Sequence, residues 1–259
     1  EQCQRLGYRK NEGKYFVNVG HAYFLLGRTD EAVSTIRKGI YRGRQTGVDA
    51  VVANGLISLG LCYRAQGNLP AADRSLHEGL RMADSIPEVY LGIHAMFELA
   101  KVRLAAGTTD DARTALIQAE DGIERSQEAD MVWGIPYGYM LEARAMNALG
   151  RRNEAIARVE QAVDQLDESE EGYGREEVFY YYAQILPDEP DYRQKRRRAI
   201  RKARDIVLER RDRIAEESDR HSYLNRSLNS QILNVAKLIG GEESGGDDEA
   251  VEAAGTKES

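Results

Sequence analysis

The sequence predicts an all-α fold, a right-handed superhelical solenoid of antiparallel helix pairs with C-terminal capping helices. Three features recur in register at intervals of about 40 residues. The first is a glycine, the second is a small residue seven positions before it, and the third is an alanine five positions after it. The glycines are at 27, 67, 107 and 150, the small residues at 20, 60, 100 and 143, and the alanines at 32, 72, 112 and 155. Only five prolines interrupt a chain rich in helix-forming residues.

Each recurring feature has a physical reason in a helical hairpin. Glycine adopts the left-handed backbone that ends a helix, so each of the four glycines predicts a bend. A small residue in the first helix allows the second helix to cross closely. The alanine and the apolar residue four positions later share one helix face, as in Ala32/Ile36 and Ala72/Leu76. One hairpin cannot bury its apolar stripe alone, whereas stacked hairpins can.

Further residues of the repeat resemble those of a known family. A large residue (Phe16, Leu56 or Met96) comes first, and Leu59-Gly60 with Tyr63 follows in the second unit. This pattern resembles the tetratricopeptide repeat, although the units here are about six residues longer than its 34. Such extended units resemble the helical arms of the maltose-regulon activator type and of bacterial signalling ATPases, kinases and cyclases. The fourth unit departs from the pattern at Glu142 and Met146.

The same register predicts how the chain is organised. Gly7 precedes Gly20 as Gly47 precedes Gly60, so residues 1–11 are interpreted as the end of a truncated preceding repeat; the alternative is a frayed start. The predicted helix pairs are 12–46, 48–84, 87–126 and 130–167, with 174–186 as the start of a fifth. Residues 190–239 are predicted to form a long basic helix, about 191–217, and a capping helix starting at Ser218-Asp219. The Gly, Glu, Asp, Ala and Ser composition of 240–259 predicts a disordered acidic tail.

The tetratricopeptide resemblance implies a partner-binding groove lined by the first helix of each pair. Its charged members, Lys14, Arg64, Lys101 and Arg144, are all basic, which favours an acidic segment or a chain-end carboxylate. The alternative is that these residues pack against a C-terminal helix folded into the groove. The candidate groove residues are Lys14, His21, Phe24, Asn54, Arg64, His94, Phe97, Lys101, Tyr137, Arg144 and Asn147.

Composition and missing motifs argue against several other functions. The net charge of −7 does not favour binding of nucleic acid. The basic run 193–204 has two interpretations: a surface that binds phosphate or anionic lipid, or a solvated helix face. No metal, cofactor, phosphate-loop or nucleophile motif is found, and Cys62 is interpreted as a packing thiol. No apolar run is long enough to span a bilayer, and a cytoplasmic location is expected.

The sequence therefore predicts a non-enzymatic scaffold that binds a protein or peptide, without catalytic residues, cofactor or metal. The resemblance further implies the C-terminal regulatory arm of a larger bacterial signalling protein. Two alternatives stay open. One is an arm of a signal-transduction ATPase or transcription regulator that senses a small ligand. The other is a structural repeat that self-assembles through an open N-terminal edge.

Overall fold

A computed structural model describes the backbone of residues 2–167 and 173–252 and the side chains of 11–166 and 173–239. Within these ranges the regular structure is entirely α-helical, which confirms the all-α prediction. The helices are α1 Gln2–Leu25, α2 Thr29–Thr46, α3 Asp49–Ala65, α4 Leu69–Ala83, α5 Val89–Ala106, α6 Thr109–Glu128, α7 Gly134–Ala148, α8 Arg152–Asp167, α9 Arg175–Ile185, α10 Pro190–Asp212, α11 Glu217–Leu224 and α12 Ser227–Glu252.

Consecutive helices pack in pairs, and the pairs stack in chain order. Helices α1 and α2, α3 and α4, α5 and α6, α7 and α8, and α9 and α10 form the pairs. The second helix of each pair also packs on the first helix of the next pair. In addition, α1 contacts α3, α3 contacts α5, α5 contacts α7 and α7 contacts α9. This repeating arrangement gives the first helices a shared surface, here called the inner face.

The four predicted bends lie between the helices of the first four pairs. Gly27, Gly67, Gly107 and Gly150 have φ of 84°, 75°, 82° and 77°, in the left-handed region that favours glycine. Asn68 and Thr108 then start two of the second helices, because their side chains accept hydrogen bonds from the amides of Ala71 and Asp111. The placement of the bends is thus confirmed, and it rests on local backbone chemistry.

The close helix crossings are also present. A Cβ added to Gly20 would lie 2.5 Å from Cγ1 of Ile36, and one added to Gly60 would lie 2.4 Å from Cγ of Leu76. Ile36 and Leu76 are fully buried, and each stands four residues after the alanine of its repeat. The recurring small residue of one helix and the recurring apolar residue of the next therefore interlock.

The fourth pair buries a carboxylate at a position that is apolar in the two preceding pairs. Glu142 takes the place of Leu59 and Leu99 and is almost fully buried. Nε of Arg158 lies 3.0 Å from its Oε2. Burial raises the pKa of Glu142 to about 7, and the Arg158 guanidinium opposes that rise. The departure seen in the sequence therefore places a titratable group inside the α7–α8 pair.

Several predicted boundaries differ from those of the structure. Helix α1 runs without a break through Gly7, whereas residues 1–11 were predicted to be the end of a separate, preceding repeat. The long basic helix ends at Asp212, before the predicted residue 217. The single capping helix is instead two helices, α11 and α12, separated at Asn225 and Arg226. The backbone of α12 stays helical to Glu252, through much of the predicted tail; residues 253–259 lie outside the described residues.

The C-terminal helices contact the bend of the first pair. Nη1 of Arg28 lies 3.2 Å from Oδ1 of Asp219 in α11. A Cβ on Gly27 would lie 2.6 Å from the carbonyl oxygen of Ser222, so α11 approaches this bend closely. The Arg226 guanidinium carbon lies 5.3 Å from the centre of the Phe24 ring. The stack therefore curves until its last helices close against its first pair.

In the described ranges we find no helix with the length and apolar character needed to cross a bilayer.

Candidate functional site on the inner face

Two buried carboxylates neutralise most of the basic residues predicted for the groove. Glu98 of α5 accepts from Arg64, with Nη2 and Oε2 3.0 Å apart, and pairs with Nζ of Lys101 at 3.2 Å. Glu177 of α9 lies 3.0 Å from the same Nζ of Lys101. The Tyr137 hydroxyl donates to Glu177 at 2.7 Å and accepts from Lys101 at 2.8 Å. These contacts join α3, α5, α7 and α9 into one network.

The network is almost completely buried. The Glu98 side chain is 1% exposed and that of Lys101 is 9% exposed. Burial alone raises the pKa of Glu98, but Arg64 and Lys101 together lower it to about 2. Burial also acts to raise the pKa of Glu177, and Lys101 and Arg144 lower it overall. Both carboxylates are therefore held ionised by their cations, and neither is poised as a proton donor near neutral pH.

An aromatic cluster lies beside the ionic network. The ring of Tyr137 packs against Phe97 at 5.7 Å and edge-on against Tyr173 at 4.9 Å between centroids. Tyr173 also packs on Trp133, and its hydroxyl lies 3.1 Å from Nε2 of His94. Burial lowers the pKa of His94 to about 4, so this imidazole is neutral near pH 7. The cluster fixes the Tyr137 ring and thereby the hydroxyl that bridges Lys101 and Glu177.

A cavity of about 590 Å³ remains between the inner face and the C-terminal helices. Its charged lining comes from Arg64, Lys101, Glu177 and Arg226, and Phe24 provides an aromatic wall. Thr29, Ser222, Asn225, Ser227 and Gln231 add neutral polar groups. We call it the closure cavity, because helices α11 and α12 complete it over the first helices.

Arg226 differs from the other cations of the closure cavity. Its side chain is half-buried at the break between α11 and α12. Within the described ranges its guanidinium makes no ion pair or hydrogen bond, and its nearest aromatic contact is Phe24. Burial lowers the pKa of Arg226 and outweighs Tyr223, Glu176 and Glu177, which act to raise it. An added anion would therefore be favourable at this point.

The predicted groove residues occupy different environments. Six of them meet in the ionic and aromatic clusters: Arg64, His94, Phe97, Lys101, Tyr137 and Arg144. Phe24 lines the closure cavity, and His21 stacks beside it at 6.1 Å. Asn54 is half-buried in α3, while Lys14 and Asn147 are exposed and belong to neither cluster.

Sequence reasoning missed four residues that define the site: Glu98, Glu177, Tyr173 and Arg226. Glu98 carried a usable signal, since it is an acidic residue inside the apolar segment Phe97–Leu99 of a first helix. Glu177 and Tyr173 follow the fourth pair, so only the folded stack brings them to Lys101 and His94. Arg226 carried no signal, because the predicted capping helix continued through it.

No protein-family model matches this chain, and no curated protein matches it. Among the described residues, no group of three or more His, Cys, Asp or Glu side chains is arranged to hold a metal ion. The Cys62 thiol is buried, and burial raises its pKa to about 12.

Proposed function

We propose that this chain is a non-enzymatic, tetratricopeptide-like repeat scaffold that binds a protein partner on the exposed face of its first helix pair. This face, here called the first-pair face, consists of Tyr15, Phe16, Val19, Lys38 and Tyr41. The inner face is less open to a peptide, because α11 and α12 cover part of it and Glu98 and Glu177 already pair with its cations.

The observation that carries the proposal is a difference between equivalent positions of the repeats. Tyr15 and Val19 are 63% and 46% exposed. The corresponding residues of α3, Gly55 and Leu59, are buried, and Gly55 faces Ile40 of the preceding pair. The residues that correspond in α5, Ala95 and Leu99, are buried as well. The first pair thus exposes side chains at positions that the rest of the stack covers.

The size of Tyr15 argues against a partner that packs as another repeat. At Gly55 even a Cβ would lie 2.4 Å from Cγ1 of Ile40, so a tyrosine cannot occupy that crossing. Exposed tyrosines are instead typical of protein interfaces, where they supply a large rigid contact area. We therefore propose a partner that lies across the face and does not interdigitate with it.

The charge around the first-pair face favours an acidic partner. Arg37, Lys38 and Arg42 line a shallow depression of about 360 Å³ together with Phe16 and Tyr41. Lys38 stands at the position of Glu78, which pairs with Arg44 of the preceding helix pair at 3.1 Å. An aspartate or glutamate of a partner that lies across the face would give Lys38 an opposite charge.

A cross-linking and affinity experiment tests this proposal. A photoreactive benzoylphenylalanine at Tyr41 should cross-link to an acidic helical segment of one partner, identified by mass spectrometry. We expect Tyr15→Ala/Tyr41→Ala to weaken binding of that purified partner at least about 10-fold, the loss of about 1.4 kcal/mol expected for two interface tyrosines. Binding should also weaken with added salt.

The control is Ile117→Ala, which removes an equally exposed apolar side chain from α6. It should leave the affinity unchanged. Unchanged binding by the Tyr15→Ala/Tyr41→Ala variant would contradict the proposal. If the cross-link joins two copies of this chain, and sedimentation shows a dimer that the double variant loses, the self-assembling alternative replaces the acidic partner.

The extended repeats further support, by resemblance, a place as the regulatory arm of a bacterial signalling protein. In that setting the first-pair face would connect the arm to the component that it regulates.

A further inference from the structure

We propose that the closure cavity binds a small organic oxyanion, a carboxylate or a phosphate ester, between the guanidinium groups of Arg226 and Arg64. This site is separate from the first-pair face, so the two proposals can fail independently.

The half-buried guanidinium of Arg226 makes no ion pair with a described residue. A cation that is partly removed from water is stabilised when an anion lies next to it. Here Arg28 of the same contact region pairs with Asp219, whereas Arg226 lies over the face of Phe24. Glu176 and Glu177 act on Arg226 electrostatically, but neither forms an ion pair with it. The guanidinium lines the cavity, so its missing anion would come from a ligand.

The side chains that line the cavity carry more positive than negative charge. Arg64, Lys101 and Arg226 line it together with one carboxylate, Glu177. Glu98 pairs with Arg64 and Lys101, and Glu177 pairs with Lys101. Neither carboxylate makes an ion pair with Arg226, so an anion in the cavity would meet a net positive lining.

The size and lining of the cavity also suit a small ligand. Its volume of about 590 Å³ lies within the range that holds metabolite-sized ligands. Ser222, Asn225 and Gln231 can donate to or accept from the polar remainder of such a ligand. Residues of α11 and α12 form one wall of the space, and its volume suits a small molecule.

Thermal shift and calorimetry with defined probes test the proposal. The probes are citrate, glucose 6-phosphate and inorganic phosphate, each compared with sodium chloride at equal ionic strength. We expect at least one probe to raise Tm saturably. Citrate alone would assign a carboxylate ligand, whereas the two phosphates would assign a phosphate ligand. No saturable rise with any probe would overturn the proposal.

The variant Arg226→Gln should weaken the binding of the active probe at least about 10-fold, because a charge-assisted contact is lost. The control Arg213→Gln removes a guanidinium that is 75% exposed and pairs with Glu209, and it should bind as the unmodified chain does. In low-salt buffer without a probe, Tm of Arg226→Gln should be no lower than that of the unmodified chain. A lower Tm together with unchanged probe affinity would assign Arg226 a packing role only and overturn the site.

Discussion

Glu98→Gln is expected to lower the free energy of unfolding by about 3–5 kcal/mol at neutral pH. The substitution keeps the shape of the side chain but removes the charge between Arg64 and Lys101, which lie 3.0 and 3.2 Å from its carboxylate. Among the described residues Arg64 then loses its ion pair, and Lys101 keeps its ion pair with Glu177. Chemical denaturation of both proteins, followed by circular dichroism, measures the difference.

This loss should depend on pH in a defined direction. The pKa of Glu98 is about 2 in the folded chain and 4.5 for an ordinary glutamate. A carboxyl whose folded pKa is depressed contributes its full stability above the ordinary value and loses it as pH falls towards the folded value. The gap between the two proteins should therefore be widest above pH 4.5 and close as pH falls towards 2.

The matched control for Glu98→Gln is Glu78→Gln. Glu78 also pairs with an arginine, Arg44 at 3.1 Å, but both side chains are about half-exposed. A solvated pair contributes about 0–1 kcal/mol, so this change should be small at every pH. Equal effects of the two substitutions would contradict the buried network.

Gly60→Val is expected to destabilise the chain by about 3 kcal/mol, the upper end of the usual cost of overpacking a core. The added side chain would begin 2.4 Å from Cγ of Leu76, in the interior of the α3–α4 pair. Leu76 is fully buried, so it can move away only by displacing its packed neighbours. Denaturant unfolding of the purified variant tests the value.

A control and a rescue make this prediction specific to the crossing. Ala105→Val introduces the same side chain on an exposed turn of α5. The free energy of unfolding should then fall by less than about 1 kcal/mol, because valine has a lower helix propensity than alanine. In the Gly60→Val background, Leu76→Ala should restore part of the lost stability, because the two positions touch. Additive losses from these two changes would show that α3 and α4 do not cross at this point.

The periodic parts of the fold could be predicted because their causes are local. Each bend needs a positive φ, which glycine adopts without steric strain. Each helix crossing needs a small residue, because Ile36 or Leu76 fills the space opposite it. The end of the chain could not be predicted in the same way. Leu224 and Leu228 have the spacing of one helix, but the chain breaks between them to bring Arg226 to Phe24.

The candidate site was predictable only in part. The register placed Arg64, Lys101 and Tyr137 on neighbouring first helices, and the structure brings them together. The register does not predict which carboxylate pairs with each of these basic residues. Glu177 is 76 residues from Lys101 in sequence, so that pairing depends on how far the stack curves. Tertiary contacts of this kind leave no periodic signal.

The closure of the last helices against the first pair is the central claim, because it forms the closure cavity and covers the inner face. The direct measurement is a cross-link between Arg28→Cys and Asp219→Cys, in a background where Cys3 and Cys62 are replaced by alanine. A short bis-maleimide should join the two cysteines within one chain, and mass spectrometry should identify the linked peptides. Arg28→Cys with Ile117→Cys should give no such product. Absence of the 28–219 link in a folded, helical variant, with both cysteines shown to react, would contradict the closed arrangement.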